Sequence, residues 1–273
     1  MRRGLYIAAL IATVCALAVA QTAAPQAPPY GAGLQYNPAA ETTITGTVQE
    51  VIQTQAGEHV IVNTPQGRYN VALGPAGYVN QQNLNLAPGA PITITGAPTT
   101  VSGQQFFVAR AVEQNGRSIA FRNAQGAPAW AGAGMGRGMM GRMRSSNVYN
   151  PATETTLSGT VQQVNHYMCG PFAGTLATIS TSQGAIDAQL GPYEYMQQQN
   201  MMLRPGERVD VTGSQINIDG TELLLARSIT ANGRTVALRN AQGMPMWAGM
   251  MRGRMMPATD ESAPAPAPQE PPQ

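Results

Sequence analysis

Three arginines recur in register 117 positions apart: Arg110 with Arg227, Arg117 with Arg234, and Arg122 with Arg239; Trp130 and Trp247 keep the same offset. A guanidinium fork matches the geometry of carboxylate and phosphate, and an indole offers a stacking face. Arg110, Arg122, Trp130, Arg227, Arg239 and Trp247 therefore form the candidate ligand-binding set. The packing alternative puts Arg122 and Arg239 at a strand end, packing over Trp130 and Trp247 and bonding the turn carbonyls, with each indole closing the end of its own domain. Packing is the preferred reading of both residue types.

His166, Met168 and Cys169 are the mixed soft-ligand cluster of the chain. Thioether, thiolate and imidazole suit Cu(I) or Zn, but a structural zinc site takes four ligands, and the first half has no counterpart for these three. Methionines also crowd two strings, Met135, Met139, Met140 and Met143, then Met244, Met246, Met250, Met251, Met255 and Met256. Arg137, Arg142, Arg144, Arg252 and Arg254 stand among them and oppose a cation. Metal handling is the alternative reading; a connection with a half-buried thiol and an adaptable apolar surface is the preferred one. Nucleophilic catalysis finds little material: His59 and His166 are not equivalent in the repeat, no Gly-x-Ser-x-Gly elbow occurs, and Glu50, Glu58 and Glu113 have no acidic matches. An enzyme is not expected, nor is a cofactor.

The elements that position these residues come in two copies. From Gly74 to Gly132 against Gly191 to Gly249, 27 of 59 positions are identical without a gap. Tyr36-Asn37-Pro38 and Glu41 to Val48 recur as Tyr149-Asn150-Pro151 and Glu154 to Val161 at an offset of 113, so the second copy gained four residues between Val164 and Gly191. The gain is placed at residues 166–174, in a hairpin connection. Within each copy apolar and polar residues alternate through short β-branched runs bounded by Gly, Pro or Asn. After the third run, Pro75 to Leu84 and Pro192 to Met201 read as one short helix opened by proline. Asn115-Gly116 and Asn232-Gly233 mark two-residue hairpins, because both central positions favour φ > 0. Three strands, a helix, then further strands is the order of the OB-fold, a small closed barrel. The fold class is mainly β, with two tandem small OB-like β-barrels, each with a short helix between the third and fourth strands.

Leu73-Gly74-Pro75, Thr95-Gly96, Ala109-Arg110 and the closing Arg122-Asn-Ala-Gln-Gly126-Ala-Pro128-Ala-Trp130 resemble an exported bacterial OB-like domain whose related forms occur in magnetosome proteins of the MamS and MamX type. The resemblance covers both copies and implies a periplasmic or surface location. Electron-handling members carry Cys-x-x-Cys-His haem motifs, which this chain lacks, so that role is not carried over.

The beginning, Met1-Arg2-Arg3-Gly4 followed by an apolar run and Ala18-Val19-Ala20, reads as a cleaved secretory signal. The expected organisation is a signal peptide over 1–20, a Pro/Ala-rich spacer over 21–40, repeat one over 41–130, a Gly/Met/Arg linker over 131–148, repeat two over 149–248 and a tail over 249–273. Losing Arg2 and Arg3 brings the 16 basic residues, all arginine, level with the 14 acidic ones. A neutral mature chain exerts no global pull on phosphate, so no nucleic-acid partner is expected. The expected partner is an unidentified envelope protein or polymer, with no transmembrane helix after signal cleavage and the oligomeric state open. The functional expectation is a non-catalytic exported binding or scaffolding protein of the cell envelope, periplasmic or secreted. The alternative is periplasmic copper or metal handling through the methionine strings and His166, Met168 and Cys169.

Overall fold

The computed structural model describes residues 36–131, 149–169, 172–218 and 220–250. The expected signal peptide, the spacer up to residue 35, the segment 132–148 and the tail from 251 lie outside the described residues, as do all but Met244, Met246 and Met250 of the two methionine strings. At the end of the expected spacer, Tyr36 and a single 3-10 turn over Pro38–Ala40, capped by the Asn37 side chain, lead into the first strand.

Strands β1 (Thr42–Thr54), β2 (Gly57–Thr64), β3 (Gly67–Gly74), β4 (Pro91–Val101), β5 (Gln104–Gln114) and β6 (Arg117–Ala120) form the first sheet, with helix α1 (Ala76–Gln81) between β3 and β4. β1 pairs antiparallel with β2 and β4, and the ring closes where β3 meets β5 in a short parallel contact, Val71 beside Phe107 and Ala72 beside Val108. Irregularities between Val48 and Glu50 in β1 and between Thr95 and Gly96 in β4 bend the sheet enough to close it. Inside lie Ile44, Val48, Val60, Val62, Val71, Leu73, Ile94, Phe107 and Phe121. α1 turns Val79 inward to plug one end.

The second copy repeats this with β7 (Glu154–Cys169), β8 (Phe172–Thr181), β9 (Gly184–Pro192), α2 (Tyr193–Gln198), β10 (Arg208–Ile218), β11 (Thr221–Ala231) and β12 (Arg234–Ala237). Its parallel closure joins β9 to β11 from Asp187–Leu223 to Gln189–Leu225. The Asn-Gly turns form as expected, with φ of 53° and 74° at Asn115-Gly116 and 52° and 74° at Asn232-Gly233. The chain thus folds as two OB-like barrels, each carrying its helix between the third and fourth strands.

One difference from expectation matters. Of the residues assigned to a hairpin connection, 166–169 and 172–174 are strand: β7 runs on to Cys169, and β8 begins at Phe172. β7 and β8 are longer than β1 and β2, and their tip forms an arm that reaches the first barrel. The reason is tertiary. Ordering this arm costs conformational entropy, and contacts with the other barrel offset it: Met168 and Ala173 pack with Ala72, Val101, Phe106 and Val108, while Tyr167 and Leu176 pack with Ile52 and Ile61.

Candidate functional site

Each copy of the closing motif is a loop that folds back on its own barrel. The Asn123 side-chain oxygen accepts from the N–H groups of Gln125 and Ala127, and Arg122 forms an isolated bridge with Pro128. This sets Trp130 over the Arg122 guanidinium, 5.0 Å from ring centroid to Cζ, and beside Tyr78 of α1. Arg239, Trp247 and Tyr195 repeat the stack, with 4.9 Å between Cζ and the centroid. Gly74, at φ +154°, lies flat against the indole; a Cβ there would sit 2.6 Å from the ring, and Gly191 does the same under Trp247. Arg122 donates to the carbonyls of Ala109 and Leu73, and Arg239 to that of Ala226. Burial pulls both guanidinium pKa values down to about 10, leaving both cationic at neutral pH.

Arg110 and Arg227 are held differently. Glu41 takes both forks of Arg110 at 2.5 and 2.8 Å and accepts from the Tyr36 hydroxyl at 2.5 Å. Glu154 does the same for Arg227, at 2.8 and 2.8 Å, and accepts from Tyr149. The arginine bonds, then the tyrosine bonds, hold both carboxyls below the usual carboxylate range. Burial first, then Glu41, pushes the Tyr36 phenol up to about 12. The structure therefore holds the six candidate residues in two arrangements per barrel, a buried arginine under an indole and a part-exposed arginine on a glutamate, with the arginine forks directed at groups of the same chain. The sequence reading missed Glu41 and Glu154 as partners, although both recur with the arginines and the tyrosines.

His166, Met168 and Cys169 do not converge. Alternation along β7 puts Met168 in the cluster with Phe106 and Val108, and Cys169 in the one with Tyr167 and Leu176. His166 packs edge-on to Tyr193 at 4.9 Å. Burial pushes the Cys169 thiol up to about 11 and lowers the His166 imidazole. Among the described residues no group of three His, Cys, Asp or Glu side chains is placed to hold a metal. The cysteine stays a free thiol.

The two barrels cover each other reciprocally. From barrel one, Gln53 near the β1–β2 tip donates to the Ile218 carbonyl at 3.1 Å and accepts from Thr221 at 2.8 Å, binding the β10–β11 turn. From barrel two, the β7–β8 arm lies over β2 and β3, and the Ala173 N–H reaches Ser102 Oγ in the β4–β5 turn at 3.3 Å. Glu50 accepts from Gln163 and Asn165 at 2.5 and 2.9 Å. The strand-2/3 face, which OB-folds use for ligands, is thus partly occupied in barrel one by its neighbour. Beside it an open groove of about 550 Å³ remains, lined by Arg68, Tyr69, Asn70, Thr99, Gln105 and Phe106.

Two OB-like barrels, each closed by an Arg–Trp stack and fastened to each other through their strand hairpins, define a duplicated-domain protein. The chain belongs to the MamS/MamX magnetosome protein family, matching it over residues 40–119 and 153–236. No curated protein matches the chain. Among solved structures it is similar to the single-stranded DNA binding protein from Thermus aquaticus, with 13% identity, 72% of this chain and 94% of that one covered, and a TM-score of 0.26. It is also similar to a murine DNA binding protein bound with double-stranded DNA, with 13% identity, 67% and 92% covered, and a TM-score of 0.21. A third is the Ifi202 HINa domain in complex with 20 bp dsDNA, with 11% identity, 67% and 90% covered, and a TM-score of 0.21.

These neighbours correct the partner expectation. Proteins solved with or named for DNA stand among them, so the exclusion of nucleic acid is withdrawn. Its physical basis was a sum: net charge describes the whole chain and not the surface of either barrel. No helix among the described residues is long and apolar enough to cross a membrane.

Proposed function

We propose that this protein is a non-catalytic, exported binding or scaffolding protein of the cell envelope, acting through the outer surfaces of a fastened pair of OB-like barrels. The observation that supports this most directly is where its repeated polar side chains are used. Arg110, Arg227, Arg122 and Arg239 each bond a carboxylate or carbonyl of the same chain. Side chains used this way build a scaffold; a reactive site would leave a nucleophile beside a base. The signal-like residues 1–20 supply the address. Mass analysis of the intact protein from fractionated cells tests it: a chain beginning at Gln21 in the extracytoplasmic fraction is expected, whereas an uncut chain in the cytoplasm overturns the reading. Turnover of any substrate that survives removal of the arginine clusters would overturn the non-catalytic part.

A further inference from the structure

His59 is fully buried where the second barrel meets the first, and its hydrogen bonds fix its tautomer. The backbone N–H of Met168, on β7, donates to His59 Nε2 at 3.0 Å. A backbone N–H can only donate, so Nε2 carries no proton. Nδ1–H then donates to Asn70 Oδ1 at 2.9 Å, and Asn70 Nδ2 donates to the His166 carbonyl at 2.7 Å. Two side chains of barrel one thus hold two backbone groups of the arm, and the bond from Met168 requires a neutral imidazole with Nε2 unprotonated.

We propose that His59 is an acid-sensitive clasp: a proton gained at Nε2 sets a donor against the Met168 N–H and releases the β7–β8 arm from the strand-2/3 face of barrel one.

Loss of solvent opposes the proton and outweighs the Asn70 hydrogen bond, which favours it. Phe106 meets the imidazole edge-on at 5.8 Å, and the buried Arg122 guanidinium opposes a second positive charge. From barrel two the arm and α2 bring His166 and Tyr193. The N-terminal segment brings Tyr36, already engaged with Glu41. Glu58, itself buried, precedes His59 across an irregularity in the β2–β3 pairing. Burial accordingly pulls the His59 value down to about 4 from the 6.5 of an exposed imidazole. Sequence duplication isolates the feature. The pairing of β2 and β8 with their neighbours makes Leu176 the counterpart of His59, and Leu176 packs among Ile52, Ile61 and Tyr167. Of these two equivalent positions, one contact titrates and the other does not, so acid loosens the side where the arm covers barrel one. This goes beyond the proposed function and holds whatever the barrels bind.

Hydrogen exchange on the full chain, corrected for intrinsic pH dependence and read by mass spectrometry, tests the clasp. The peptide over residues 163–169 reports the arm, and the peptide over residues 208–213, inside β10, reports barrel two itself. Between pH 7.5 and 4.5 protection of the arm is expected to fall on the order of 70-fold, from the displacement of the His59 value, while β10 stays protected. His59→Gln keeps an acceptor without titrating in this range, and His59→Leu installs the second copy's own residue; both are expected to flatten the pH slope whatever level of protection they set. A wild-type arm protected equally at both pH values, the same slope in both variants, or loss of arm and β10 together overturns the proposal.

Discussion

At the scale of single residues, two carboxylates each grip an arginine and two indoles each cover one. Glu41→Gln, or Glu154→Gln, is expected to lower the unfolding free energy by ~1 kcal/mol in urea titrations at pH 7, since a partly exposed bidentate pair is worth little more than that. Both carboxyls lie below their ordinary range in the folded protein, so their contribution is complete above the unfolded glutamate value and is lost as pH falls through the folded one. Trp247→Ala is expected to cost ~3–5 kcal/mol and Trp130→Ala less, because Trp247 is 6% exposed whereas Trp130 is only half-buried. Melting of each variant at the wild-type temperature would sink the idea that the indoles close the barrels. Cys169, with its thiol near 11, is expected to alkylate at pH 8 roughly 100-fold more slowly than an exposed cysteine, read from the peptide that contains it. The arginine–tryptophan pairing was legible in the sequence because both partners recur in one motif. The Glu41–Arg110 pair was written there too, but its members stand far apart in the chain and nothing local joins them.

At the scale of elements, what could be read was what is local. Alternation gave the strands, proline opened the short helices, and Asn-Gly placed the last hairpin, because each of these is decided by the backbone preferences of neighbouring residues. The β7–β8 arm escaped because its strand character depends on a surface roughly a hundred positions away, and because the first copy offers no template for it. Gly174 marks how closely the arm is built: a Cβ there would lie 2.2 Å from the Tyr167 ring. Gly174→Ala is therefore expected to push Tyr167 off Ile52 and Ile61 and to detach the arm, at ~1–3 kcal/mol. Circular dichroism would show the barrels intact, while exchange protection of residues 163–169 collapses; unchanged protection would show that the arm is held without Tyr167.

At the scale of the whole molecule, acid acts through His59. Its folded value of about 4 lies below the exposed 6.5, so the unfolded chain takes up the proton first. The His59 share of stability is complete above pH 6.5, declines as pH falls below it, and levels off below about 4, a total of ~3 kcal/mol. Urea titrations at pH 7.5, 5.5 and 4.0 should follow that course in the wild type and lose the His59 share of it in His59→Gln, leaving the later carboxylate loss. The duplication also bears on assembly. The surface that barrel one offers the arm is unlike the surface that barrel two offers the β1–β2 tip, so the two halves meet as plug and socket. Such a joint satisfies itself inside one chain only while the stretch joining the halves is long enough to let them turn toward each other. Shorten residues 132–148, and every plug must look for the socket of another molecule, turning a joint closed within one chain into a growing row.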